Sequence, residues 1–254
     1  MKRLICVISV FLGLTITAGA QKDDFGMWYE LGLEKKLSKK WNISMEGEFR
    51  TRNNTKTADR WSAGVSAEYK IAKGLKASAG YNILFDNNPE DLTWNSSNDP
   101  KKWTPSYWGT RHRFNVSMTG SVDWGRLKLS LRERWQYTYR PEAKDKKYAF
   151  TYDDNDYLSG YRLDPVNSKN KHMLRSRLQA SYDIAHWKFD PTASAEMFTD
   201  KKGIQKMRYQ IGIDYKVRKQ HVFSLSYRYQ TVNSGDDDND VNSQLIGLGY
   251  KYKF

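Results

Sequence analysis

The residues best suited to chemistry in this chain are glutamates and arginines that recur at even spacing. Glu30, Glu34, Glu46, Glu48 and Glu68 come first, followed by Arg111 and Arg113, Arg132 and Arg134, and Arg175 and Arg177. A strand has a two-residue period, so each set falls on one face of an extended segment. Guanidinium forks match carboxylates and phosphates bidentately. Such a face either neutralises itself through arginine–glutamate pairs or offers a basic strip to an anionic solute. Both readings make these eleven residues candidates for lining an interior.

Other chemistries find less support. Acid–base or nucleophilic catalysis generally needs a base such as histidine beside a nucleophile or an activated water. Of the four histidines, His112, His172 and His221 fall on the apolar parity near segment ends, and His186 sits in a short turn. The chain is therefore expected not to be an enzyme and to use no cofactor. Carboxylate chemistry at a rim, through Asp153, Asp154 or Asp156, is the alternative. The acidic run at 236–240 offers oxygen ligands to a hard cation. Gly235 precedes it and the distal glutamate of an EF-hand loop is missing, so a solvated loop is expected there and no metal site. The only cysteine is Cys6, so disulfides and thiolate metal sites are excluded from the rest of the chain.

The elements that carry these residues read as strands. Segments of alternating apolar and polar residues run over 25–36, 41–52, 60–71, 75–85, 107–122, 127–140, 172–184, 187–198, 206–217, 221–231 and 242–254. In the third, Trp61, Ala63, Val65, Ala67, Tyr69 and Ile71 oppose Arg60, Ser62, Gly64, Ser66, Glu68 and Lys70 almost without a break. Glu133 falls on the apolar parity of its segment, which predicts a bulge nearby, and Pro191 predicts an adjusted ladder around it. Connections alternate: short at 37–40, 72–74, 123–126, 185–186 and 218–220, and longer and polar at 53–59, 86–106, 141–171, 199–205 and 232–241. Short turns on one rim and long loops on the other are the layout of an outer-membrane barrel, with the long loops outside. Single-chain bacterial barrels have even strand numbers and eleven segments are odd, so ten to twelve strands are expected.

The start of the chain has the form of an export signal. Lys2 and Arg3 precede an apolar run at 4–16, and Ala18-Gly19-Ala20 is a small-residue cleavage pattern, so residues 1–20 read as a signal peptide and 21–254 as the barrel domain. Without Lys2 and Arg3 the chain keeps 40 basic and 29 acidic residues, a net charge of +11. Export argues against nucleic acid as the partner. The positive charge fits anionic lipid headgroups or an anionic solute. A mean hydropathy of −0.82 fits a barrel, in which only alternate residues meet lipid. The closing segment puts Ile246, Leu248, Tyr250, Tyr252 and Phe254 on one face and ends on an aromatic residue. Tyr250, Tyr252 and Phe254 are the candidates for the signal read by the barrel-assembly machinery.

Asp24-Phe25-Gly26-Met27-Trp28, the hairpin from Glu34 to Trp41, the glutamate-rich strand after it and Gly247-Leu248-Gly249-Tyr250 resemble the outer-membrane barrels grouped as domain-of-unknown-function family 2490. The resemblance spans essentially the whole chain after residue 20 and implies a fold and a location, with no activity attached. The expectation is an all-β, transmembrane, antiparallel up-and-down barrel in the outer membrane of a Gram-negative bacterium, in contact with its lipids. It acts as a narrow pore or as a structural barrel with a charged interior. A rim enzyme and a secreted soluble β-barrel that binds an apolar ligand are the alternatives.

Overall fold

The computed structural model describes residues 23–153, 157–218, 220–233 and 241–254, so the export segment at 1–20, Asp154, Asp156 and the acidic run at 236–240 lie outside the described residues. Fifteen strands follow one another among the described residues, with no helix between them. They are β1 (Asp24–Lys36), β2 (Trp41–Arg52), β3 (Thr57–Ala72), β4 (Leu75–Asn88), β5 (Asp91–Trp94), β6 (Pro100–Thr104), β7 (Tyr107–Trp124), β8 (Leu127–Arg140), β9 (Ala143–Tyr152), β10 (Leu158–Val166), β11 (Lys169–Tyr182), β12 (Phe189–Asp200), β13 (Gly203–Val217), β14 (His221–Val232) and β15 (Ser243–Lys253).

Eleven of them close a barrel in the order β1-β15-β14-β13-β12-β11-β8-β7-β4-β3-β2. Each wall strand is antiparallel to its chain neighbour in the barrel, as an up-and-down meander requires. An odd meander leaves its first and last strands running the same way. β1 accordingly pairs with β15 in parallel, from Asp24 opposite Ser243 to Glu34 opposite Lys253. The count lies within the expected ten to twelve. The wall is antiparallel as expected except at this one seam, where the pairing is parallel.

One rim carries short connections, such as 37–40 and Gly74, where a φ of +79° and the Ser121 carbonyl 2.4 Å from a would-be Cβ admit glycine alone; its longest is 183–188 between β11 and β12, where a turn at 185–186 was expected. At the other rim, two of the five stretches read as long loops are short. β2 and β3 are joined by 53–56, and β12 and β13 by 201–202, because the strands continue further than their apolar parity does. The two longest excursions are not irregular either. They hold β5, β6, β9 and β10, which pair into a separate four-stranded sheet in the order β10-β9-β6-β5.

Orientation follows the parity. Val65, Ile211 and Leu248 are 48%, 46% and 41% exposed on the outer surface. The buried apolar side chains Trp28, Leu84, Met173 and Phe198 share the other parity with the arginines and point into the bore. Rings gather near both ends of the outer surface. Phe49 lies 4.0 Å from Trp61 and 5.9 Å from Tyr29 towards the long-loop rim, and Trp41–Tyr69 (4.9 Å) and Phe189–Tyr215 (4.7 Å) lie towards the short-turn rim. His112, His172 and His221 sit in such clusters, beside Tyr81, Tyr137 and Tyr252.

The ladder around Glu133 is regular, with no bulge. It pairs with Met118 and Ser176, and the Ser176 hydroxyl donates to Glu133 Oε2 at 2.6 Å on the outer surface. A local hydrogen bond thus replaces the backbone irregularity. Pro191 stands one residue beyond the last β11–β12 pair, Ser181 opposite Thr192, and opposes Ile213 without a register shift on its β13 side. Its missing N–H faces the neighbour it no longer pairs with.

Candidate functional site: the charged bore

The two halves of the bore are built from residues of different size. Between the middle of the barrel and the short-turn rim lies a band of small inward residues, Gly64 and Ser66 on β3, Ser78 and Gly80 on β4, Thr192 and Ser194 on β12, Ser224 and Ser226 on β14, and Gly247 and Gly249 on β15, edged at the rim itself by charged pairs such as Lys76–Glu68 and Lys216–Asp190. Towards the long-loop rim the same parity carries Trp28, Arg50, Arg60, Leu84, Asp86, Arg111, Arg113, Met173, Arg175, Phe198 and Arg208. Large side chains converge at that end, and the band of small ones lies below them.

Glu196 of β12, 4% exposed, is one hub of the crowded half. Arg132 reaches it at 2.7 Å, Arg175 at 3.0 Å and Arg208 at 3.5 Å, so one carboxylate joins β8, β11, β12 and β13. Asp86 is a second hub. Arg60 donates to its Oδ1 and Arg111 lies 3.0 Å from its Oδ2. Trp28 of β1 is a third, with the Arg50 guanidinium 3.4 Å from its ring centroid, Arg228 at 4.1 Å and Arg208 at 5.0 Å. Arg228 also spans β15 to meet Glu30 at 3.1 Å. That reach needs a bare wall, and Gly247 supplies it: a Cβ there would stand 2.4 Å from Ser226 Oγ and 3.2 Å from the guanidinium carbon. Together the three hubs fasten ten of the eleven wall strands through their side chains, all but β15. Cation–π contacts between desolvated partners strengthen such a cluster.

All eleven sequence-selected residues lie on the bore parity, but the structure divides them. Arg111, Arg132 and Arg175 enter the hubs, and Glu48 pairs with Arg50 of its own strand at 2.7 Å. Glu30 meets Arg228. Glu34 accepts from the Asn42 amide at 2.9 Å and Glu68 from Lys76 at 2.7 Å, both near the short-turn rim. Glu46 is exposed within the wider half. Arg134 donates Nε to the buried Ser117 hydroxyl at 3.0 Å, and Arg113 and Arg177 have no ion pair or hydrogen bond among the described residues. The expected neutralisation of the early glutamates by the arginines of β7, β8 and β11 is not found among the described residues. The carboxylates that meet that basic wall are Asp86 and Glu196.

Asp86, Glu196, Arg50, Arg60, Arg208, Arg228 and Trp28 are the bore residues that the sequence-based selection passed over. Each shares the parity of its strand's polar face, which was signal enough to include it. Asp86 stands at the point where β4 was expected to end, and Glu196 lies mid-strand on the bore face of β12, whose parity it shares with Asp190 and Asp200 near the strand ends. At the seam, Tyr252 stacks on Phe254 (5.5 Å), Tyr250 OH shares a 2.9 Å hydrogen bond with His221 Nδ1, and the Phe254 N–H donates to the Glu34 carbonyl at 2.9 Å.

Solved structures of outer-membrane barrels are similar to this one. The β domain of the Bordetella autotransporter Brka matches at 13% identity with a TM-score of 0.53, covering 84% of this chain and 83% of that one. The NanC porin matches at 14% identity with a TM-score of 0.49, covering 91% of this chain and 99% of that one. No curated protein matches the chain. The likeness to the autotransporter domain shows the same class of fold. At the level of sequence, the model described as "Protein of unknown function (DUF2490)" matches residues 25–242, and the chain belongs to that family.

Proposed function

We propose that this protein is an outer-membrane barrel closed at its extracellular half by a side-chain plug and open as a cup towards the periplasm. The observation that carries this reading is the Glu196 hub. A carboxylate 4% exposed, held by three guanidiniums from three other strands, is a cross-brace and not the lining of a water-filled passage. A buried carboxylate shared by several guanidiniums holds one geometry, because removing it leaves them uncompensated. The short-turn rim is assigned to the periplasm by the general layout of such barrels. Export through residues 1–20 with cleavage after Ala20, insertion through the assembly machinery guided by Tyr250, Tyr252 and Phe254, and contact with outer-membrane lipids belong to the same proposal.

The test is conductance in planar bilayers. The purified wild-type barrel is expected to be silent, and Glu196→Gln combined with Arg175→Gln to give steps. Steady ion-selective steps from the wild type would contradict the closed bore and favour a narrow pore.

A further inference from the structure

Two pairs of arginines face one another directly across neighbouring strands: Arg134 opposite Arg175, and Arg132 opposite Arg177. All four point into the bore from β8 and β11. Like charges in directly opposed positions destabilise a sheet, so this arrangement calls for something negative between them. Glu196 supplies one carboxylate, and it is already shared by Arg132, Arg175 and Arg208. Arg134 has only a neutral partner, the Ser117 hydroxyl. Arg177 has no ion pair or hydrogen bond among the described residues, and its Nε is shut off from solvent without an acceptor. Leaving a buried guanidinium donor unmatched is unfavourable.

These two arginines are diagonal neighbours. Arg134 stands opposite Arg175, two residues from Arg177 along β11. Arg132, held by Glu196, stands beside Arg177 on the short-turn side of Arg134, and beyond it the wall turns to Ser130, Gln179 and Ser194, paired in register and none of them hydrogen-bonded to a guanidinium among the described residues. A ligand rising from that rim therefore meets two planar forks with no carboxylate of their own.

We propose that Arg134 and Arg177 form a binding site for a small oxyanion, a carboxylate or a phosphate, entered from the short-turn side. Two forks suit an oxyanion because each matches a pair of its oxygens, a geometry that a spherical halide lacks. The Ser117 hydroxyl, 2% exposed and fixed on Arg134, orients the first fork. This site deepens the functional reading above, since the cup is what gives a solute access to it.

Isothermal titration of the detergent-purified full chain with inorganic phosphate and, separately, with acetate tests it, using chloride at matched ionic strength as the control. Saturable binding of at least one oxyanion is expected, weakened about tenfold or more in Arg134→Gln and in Arg177→Gln, as loss of a charge-assisted contact implies. Whether phosphate, acetate or both bind identifies the source of the oxyanion. Heat-modifiable mobility on gels shows that each variant is folded. If a variant does not fold, the wild type decides alone, since its melting temperature is expected to rise with the oxyanion and not with chloride. No saturable binding, equal binding of chloride, or full binding by both folded variants would overturn the site. A conducting barrel that still binds oxyanion contradicts only the plug, and a silent barrel that does not bind contradicts only the site.

Discussion

Glu196 and Glu133 are both glutamates on central stretches of wall strands, and the face each occupies reverses its contribution. Glu196 points inward to three guanidiniums. Removing its charge leaves them uncompensated, so Glu196→Gln is expected to destabilise the barrel by roughly 3 kcal/mol. A lower temperature of the heat-induced mobility shift is the readout. Glu133 points outward with only the Ser176 hydroxyl for company. A carboxylate facing lipid is unfavourable in proportion to its depth, so Glu133→Leu is expected to stabilise by about 1 kcal/mol and to raise the same temperature. At this scale parity was legible in the sequence and pairing was not. Alternation places Arg132 on the bore face, but the identity of its carboxylate depends on which strand lies two places away around the wall.

Strand order was nearly complete in the sequence, because short connections force chain neighbours to pair. The seam was the exception. Eleven segments are visible in the alternation, yet the sequence does not say how an odd meander closes, and the parallel β1–β15 pairing supplies the answer. That pairing puts Asp24 at the long-loop rim and Lys36 at the short-turn rim. With Cys6 replaced, Asp24→Cys is expected to react with a membrane-impermeant maleimide added to whole cells, and Lys36→Cys not to react. The reverse pattern would mean that β1 runs the other way. The same seam ends on Phe254, whose N–H bonds to the Glu34 carbonyl and whose ring lies 5.2 Å from the Lys35 ammonium. Deleting Phe254 removes both contacts together with the terminal aromatic, and a smaller heat-modifiable fraction is expected. The four-stranded sheet of β5, β6, β9 and β10 was hidden because its strands are short, interrupted by Pro100 and Pro165, and rich in lysine. Its central β6–β9 pairing, Trp103 opposite Tyr148, joins segments more than forty residues apart.

For the molecule as a whole, inside and outside are exchanged relative to a soluble protein. Apolar side chains cover the outer surface, and the interior is a graded polar space, braced by ion pairs at one end and lined with glycine and serine at the other. Composition already indicated this arrangement, since a mean hydropathy of −0.82 beside a nearly unbroken apolar parity leaves the polar half nowhere to go but the bore and the loops. What composition did not show is the gradient, which depends on where along each strand the small residues fall. The gradient makes the bore a cup with one mouth. Its most direct test is one-sided thiol labelling of Ser66→Cys, in the cup wall, with Cys6 replaced. In vesicles of known barrel orientation, an impermeant reagent is expected to label it from the short-turn side only. Labelling at equal rates from both sides would contradict the closed bore.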